Sequence, residues 1–180
     1  MQKSHVTTPS SISTRKKMTG QLKNGDMFPD LVIPKVGGDA LRPANDLNGK
    51  YRIILIYRGY WCPFCNEQIA AFAQAADALS EAEIDVMAFS VDDEAASAAF
   101  AAKHHWPFPM GHSVDVETIV ESTGAYDMRH PERGHFLETT GFVLAPDGSI
   151  VNAVYSTRAI GRLVPGDVIR LVAFMRSLSK

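Results

Sequence analysis

Tyr51-Arg52-Ile53-Ile54-Leu55-Ile56-Tyr57, followed after four intervening residues by Cys62-Pro63-Phe64-Cys65, decides how this chain folds. The first run is almost continuous in β-branched and aromatic side chains, the pattern of a strand covered on both faces in a parallel sheet. Beyond it, Ile69, Phe72, Ala73, Ala76 and Leu79 recur at spacings of three and four. That predicts an amphipathic helix from Pro63 to about Ser80. A strand feeding directly into a helix puts Cys62 at the N-cap. Pro63 then takes the first helical position, where its missing N–H costs nothing, and Cys65 lies within the first turn.

This placement carries chemistry. The unpaired N–H groups and the positive end of the helix dipole favour thiolate over thiol, and the thiolate is the nucleophile. Two residues separate the cysteines across one turn, so the sulfurs can close a disulfide and the pair can move two electrons without a bound cofactor. The chain has only these two cysteines. His104, His105, His112, His130 and His135 show no ligand spacing that would complete a metal site with them. Neither a metal nor a cofactor is expected.

Working outward, Gly25-Asp26-Met27-Phe28-Pro29-Asp30 is turn-rich and leads into a short apolar piece over Leu31 to Val36, read as an opening strand. Ile84 to Val91 reads as a second buried strand. Asp92-Asp93-Glu94 then places acids at the start of a helix through Ala95 to about Lys103. Trp106-Pro107-Phe108-Pro109 breaks that helix and reads as a lead-in packed in the core. Val114 to about Ser122 is a further helix ended by Thr123-Gly124, and the region to His135 reads as irregular. Gly141 to Ala145 and Ser149 to Tyr155 flank Pro146-Asp147-Gly148 as a hairpin, and a last helix runs from Val168 to about Leu178. Parallel βαβ units, then an antiparallel hairpin, then a closing helix predict an α/β chain with a mixed central sheet flanked by helices.

Composition narrows the function classes. With 46% hydrophobic and 21% charged residues the 180-residue chain has material for one ordinary core. A net charge of -2 with interspersed signs offers no basic face for nucleic acid. Apolar runs of a few residues fall far short of the roughly 20 needed to cross a bilayer. Residues 1–19 carry Lys3, Arg15, Lys16 and Lys17, many Ser and Thr, and no acid. They read as a flexible tail, with an organelle-targeting peptide as the less favoured reading, and 20–180 as a single domain. A reactive dithiol without an export signal fits the cytoplasm.

At its cysteines the chain resembles the thioredoxin suprafamily. Trp61-Cys62-x-x-Cys65 matches the thioredoxin active-site pattern, and Cys-Pro-Phe-Cys is similar to the glutaredoxin core. More of the chain resembles the alkyl hydroperoxide reductase and thiol-specific antioxidant (AhpC/TSA) branch, the peroxiredoxin-like redoxins. Gly25-Asp26-x-x-Pro29-Asp30-Leu31 looks like that branch's opening signature, and Phe142 to Gly148 like its late hairpin. The resemblance spans about Gly25 to Tyr155 and implies a thioredoxin-like fold and an antioxidant role. It also shows departures. If Cys65 takes the peroxidatic place, Arg58 stands where that branch has proline and Cys62 where it has threonine. The branch's arginine falls at about Thr139, leaving Arg129, Arg133 or Arg158 to substitute. Thr140-Gly141 stands where thioredoxins carry a proline.

Two mechanisms use the same pair. In the favoured one, a thiol-disulfide oxidoreductase, Cys62 is the more exposed thiolate, attacks a substrate disulfide and is resolved by Cys65. In the alternative, a thiol peroxidase, Cys65 attacks a peroxide to give a sulfenic acid and Cys62 condenses with it. A non-catalytic binding module on the same fold is the third reading. Arg58, Trp61, Pro63, Phe64 and Thr140 are the candidate substrate-binding or thiolate-stabilising residues, and Tyr57 and Tyr60 extend the aromatic rim. Expected partners are a disulfide or peroxide substrate and an external thiol reductant of the thioredoxin or glutathione system. The reading is compatible with a homodimer.

Overall fold

The computed structural model describes residues 20–178; the expected tail at 1–19 lies outside them. The elements in chain order are β1 (Ile33–Pro34), β2 (Ala40–Leu41), β3 (Tyr51–Ile56), α1 (Pro63–Gln74), α2 (Ala76–Glu81), β4 (Ile84–Phe89) and α3 (Glu94–Lys103). They continue with β5 (Met110–Gly111), α4 (Val116–Thr123), β6 (Asp127–His130), β7 (Gly134–Leu137), β8 (Thr140–Leu144), β9 (Ile150–Tyr155) and α5 (Pro165–Leu178).

The central sheet has the order β5-β4-β3-β8-β9. β3 pairs parallel with β4, and β4 with β5, whereas β8 pairs antiparallel with both β3 and β9. This is the mixed sheet expected from the sequence. β3 is buried at every position because it lies in the middle of that sheet. Its alternation divides the core. Tyr51, Ile53 and Leu55 face a cluster with Ile69, Phe72, Phe100, Val168 and Val172. Ile54 and Ile56 face the opposite cluster with Phe28, Met87, Val116, Ile119 and Phe142. Each such side chain contributes about 1.5–3 kcal/mol on burial, and together they fix the end of β3 from which the cysteines emerge.

Some boundaries differ from the sequence reading. The long helix is two: α1 stops at Ala75 and α2 restarts from it, in a stretch so rich in alanine that periodicity shows no break. The segment read as irregular contains the β6–β7 hairpin, paired from Asp127↔Leu137 to His130↔Gly134. Its first strand is exposed and polar, so it lacks the alternation that marks half-buried strands. The opening strand is only two residues long and pairs with Ala40–Leu41. Trp106 and Phe108 pack edge to face at 5.0 Å ahead of β5, as a core lead-in should. Among the described residues no helix is long and apolar enough to cross a membrane.

Candidate active site

Cys62 and Cys65 sit where β3 hands over to α1, at the carboxyl end of a parallel strand, where open α/β sheets leave room for ligands. Cys62 is the N-cap of α1 in extended conformation, Pro63 follows at the first helical position, and Cys65 lies in the first turn. The loop ahead of them is held from both sides. The Tyr60 N–H donates to Asp92 Oδ2 at 2.8 Å, while Asn66 Nδ2 donates to the carbonyls of Tyr60 and Cys62 at 2.9 and 2.8 Å. Lys103 and His104 in turn fix Asn66 through its Oδ1. Gly59 is required here: its φ is +149°, and a Cβ would lie 2.4 Å from Trp61 Nε1.

Both cysteines are reduced and both are fully buried. The expectation that Cys62 would be the more exposed sulfur is therefore corrected. The segment between β9 and α5 covers Cys65. Arg162 Nη2 donates to Cys65 Sγ at 3.6 Å and to Thr139 Oγ1 at 2.9 Å, and Nη1 donates to Gln68 Oε1 at 2.8 Å and to the Phe64 carbonyl at 3.1 Å. Gln68, itself buried, also holds the next residue through Nε2 to the Leu163 carbonyl at 2.9 Å. Gly141 lets this segment lie close, since a Cβ there would fall 2.7 Å from Leu163.

The sulfurs behave as a pair. Cys62 is pulled down to about 5, chiefly because the Cys65 thiol donates a hydrogen bond to it, then by the Cys65 backbone N–H, Arg162 and Arg58, against the effect of burial. Cys65 is pushed up, chiefly because its proton is the one donated, and further by burial, with Arg162 opposing. The pair is thereby biased towards a thiolate on Cys62 and a thiol on Cys65. The first-turn N–H of Cys65 favours the Cys62 thiolate, although its hydrogen bond goes to the Cys62 carbonyl at 3.1 Å and the sulfur makes no side-chain cap.

The other predicted residues divide. Arg58, just beyond the end of β3, is largely buried: its side chain is 18% exposed and Nε lies 3.2 Å from Oε2 of the buried Glu138. Its guanidinium sits 5.1 Å from the Trp61 ring and 5.0 Å from the Phe136 ring. Trp61 packs edge to face on Phe136 and carries Arg133 at 5.1 Å. Pro63 and Phe64 are exposed, Tyr60 likewise, but Tyr57 belongs to the core and not to the rim. Thr140 is buried in β8, where Oγ1 donates to the Glu138 carbonyl, so its hydroxyl is turned to structure; Thr139, one residue earlier, is the threonine at the site. Of the arginines expected to substitute, Arg129 pairs with Glu117, Arg133 stacks on Trp61, and Arg158 acts on Glu138. The arginine that reaches the sulfur is Arg162. His130 and His135 are occupied elsewhere, His135 with Asp127 at 2.6 Å.

Sequence reasoning did not find Arg162, Gln68, Asn66, Thr139 or Glu138. The one available signal was Glu138 itself, an acid set in the otherwise apolar and small-residue run from Phe136 to Val143. Beside Arg162, a cavity of about 330 Å³ is lined by Phe64, Gln68, Ile160, Val164 and Pro165. Another of about 280 Å³ at the opposite end of β3 is lined by Lys50, Arg52 and Asp85 and contains no cysteine.

Residues 24–153 match the AhpC/TSA family. A peroxiredoxin from Methanothermobacter thermautotrophicus is 23% identical over 159 residues, covering 84% of this chain and 72% of that protein. One from Thermotoga petrophila is 22% identical over 158 residues, covering 85% and 71%. Among solved structures, peroxidoxin BcpB from Mycobacterium tuberculosis superposes with a TM-score of 0.72 at 18% identity, covering 87% of this chain and 98% of that one. A mutant of peroxiredoxin 6 from Arenicola marina gives 0.74 at 15% identity, covering 88% and 76%. The fold they share is the thioredoxin-like one.

Proposed function

Since the chain belongs to the AhpC/TSA family and is a thiol-based oxidoreductase, we propose that it is a thiol peroxidase in which Cys65 attacks the peroxide and Cys62 resolves the product. The observation that carries this reading is the Arg162 N–H donor 3.6 Å from Cys65 Sγ, with both sulfurs buried. A small hydroperoxide needs only a local shift of the Arg162 segment. A disulfide on a folded protein needs an exposed nucleophile, which neither cysteine provides.

In this reading the pair's negative charge is drawn onto Cys65 as the peroxide enters beside Arg162. Cys65 Sγ attacks the nearer oxygen, the O–O bond breaks, and Arg162 stabilises the charge developing on the departing oxygen. Arg162 is already oriented by Gln68, Thr139 and the Phe64 carbonyl, so little reorganisation accompanies the step. The resulting Cys65 sulfenic acid lies next to Cys62, whose sulfur displaces the hydroxyl as water and closes the disulfide. An external thiol of the thioredoxin or glutathione class reopens it, and a reducing compartment such as the cytoplasm is the setting that suits this cycle.

The test is peroxide consumption by the full chain with a dithiol reductant. Wild type turns over, Cys65→Ser does not react, and Cys62→Ser reacts once and then stops. Disulfide reduction on a folded protein substrate at a rate matching or exceeding peroxide turnover would return the dithiol reductase reading to first place.

A further inference from the structure

Glu138 is unusual among the charged residues. It is 1% exposed, and neither carboxyl oxygen accepts a hydrogen bond. Arg58 Nε lies 3.2 Å from Oε2 without an aligned N–H, and Arg58 is itself held against the faces of Trp61 and Phe136. A carboxylate left in this condition is costly, so its neutral form competes. The charged groups that act on it are Arg58 and the Cys62 thiolate from the β3–α1 junction, and Arg158 and Arg162 from the β9–α5 segment. Burial raises its proton affinity most, the three arginines oppose this, and the Cys62 thiolate raises it further. The carboxyl and the thiolate thus compete for the same cations in a site closed to water.

We propose that Glu138 is the proton store of the Cys62/Cys65 couple: it holds a proton while the pair carries a thiolate, and is ionised against Arg58 while the pair is a disulfide. The site then carries one negative charge in both redox states, which a sealed, low-dielectric environment favours. The balance closes. On reduction an external dithiol gives up two electrons and two protons; the Cys62–Cys65 bond breaks, one proton stays on the S–H between the two sulfurs, and the other goes to Glu138. On oxidation by a hydroperoxide ROOH, the O–O bond breaks and an S–O bond forms, giving the sulfenic acid and RO⁻, which takes the Glu138 proton to leave as ROH. The remaining thiol then displaces the sulfenic hydroxyl, the S–S bond forms, and the thiol proton leaves with that hydroxyl as water. This rests on the cycling of the pair proposed above, whichever oxidant drives it.

The test is a reduced-minus-oxidised infrared difference spectrum of the full chain, poised with dithiothreitol and its oxidised form. It is recorded with and without carbon-13 in the glutamate carboxyl groups, with free thiols counted in both states. The expected result is a protonated-carboxyl C=O band present only in the reduced state, displaced by the glutamate label and absent in Glu138→Gln. Should that variant fail to fold, the isotope displacement in the wild-type chain decides alone. A reduced form with two free thiols and no such band overturns the proposal, as does a band that the label leaves in place, which would belong to Asp92, the other carboxyl raised by burial. Two free thiols in both states would instead overturn the cycle itself, and the proposal with it.

Discussion

Arg162 and Arg58 flank the same two sulfurs, yet they are held in opposite ways. Arg162 is fastened by directional bonds to Gln68, Thr139 and the carbonyls of Phe64 and Ala159, and the Nη2 that serves Thr139 and Ala159 also reaches Cys65. Arg58 has a single imperfect ion partner and two aromatic faces. The first arrangement fixes where a donor points, which matters for a transition state. The second fixes only where a positive charge lies. The difference assigns them different work: Arg162 aims at the reacting atoms, while Arg58 tunes the charge balance between Cys62 and Glu138.

The largest expected effect bears on neither arginine but on the atom they serve. Cys65→Ser should abolish peroxide consumption, whereas Cys62→Ser should retain a single turnover, slowed because the buried Cys65 thiol, without its partner sulfur, ionises less readily than the pair does. Next in size, Arg162→Met should lower the second-order rate with hydrogen peroxide by about 10²-fold, the scale for losing one oriented donor at a developing oxyanion. A fall matching that of Arg58→Met would erase the distinction between aim and field.

Gln68→Ala takes away one partner of Arg162 and the tie to the Leu163 carbonyl. Stopped-flow measurement should show a loss of about 25-fold, the worth of two net hydrogen bonds of ~1 kcal/mol each. Smaller still, Arg58→Met should raise the pH at which the pair first ionises by less than Arg162→Met does, because Arg162 acts on Cys62 more strongly. Thiolate absorbance against pH reads this directly.

The pH dependence of stability follows from the same pair. The folded-state ionisation of Cys62 lies far below that of an unfolded thiol, so its contribution is complete above about 8.5 and is lost as the pH falls through about 5. Cys65 is shifted the other way, so its contribution is present below about 8.5 and declines above it. Denaturant unfolding of the reduced chain against a Cys62→Ser, Cys65→Ser double variant should show an advantage that grows from pH 5 towards 8.5 and stops growing there. A flat difference would mean that the sulfurs do not share a proton.

Much of this architecture was legible in the sequence, and the reasons are specific. β3 announced itself because six successive residues are buried on both faces, which only a β-branched and aromatic run satisfies. The cysteines declared their position because Pro63 marks the first helical residue. The helix break at Ala75 left no trace among alanines. The β6–β7 hairpin left none either, because Asp127, Arg129 and His130 are exposed. Arg162 was out of reach for a different reason: it lies 97 residues from Cys65 in a segment without regular structure, brought in by the packing of Leu163 over Gly141 and by the bonds of Gln68. Local periodicity reports helices and strands, but a donor delivered by tertiary packing has no period.

The decisive measurement is to treat reduced Cys62→Ser and Cys65→Ser, separately, with one equivalent of hydrogen peroxide, trap any sulfenic acid with a cyclic diketone, and locate the adduct by peptide mass mapping. A single adduct on Cys65 in Cys62→Ser, with none in Cys65→Ser, is the predicted result. An adduct on Cys62 in Cys65→Ser, with none in the other variant, would contradict the account and exchange the roles of the two sulfurs.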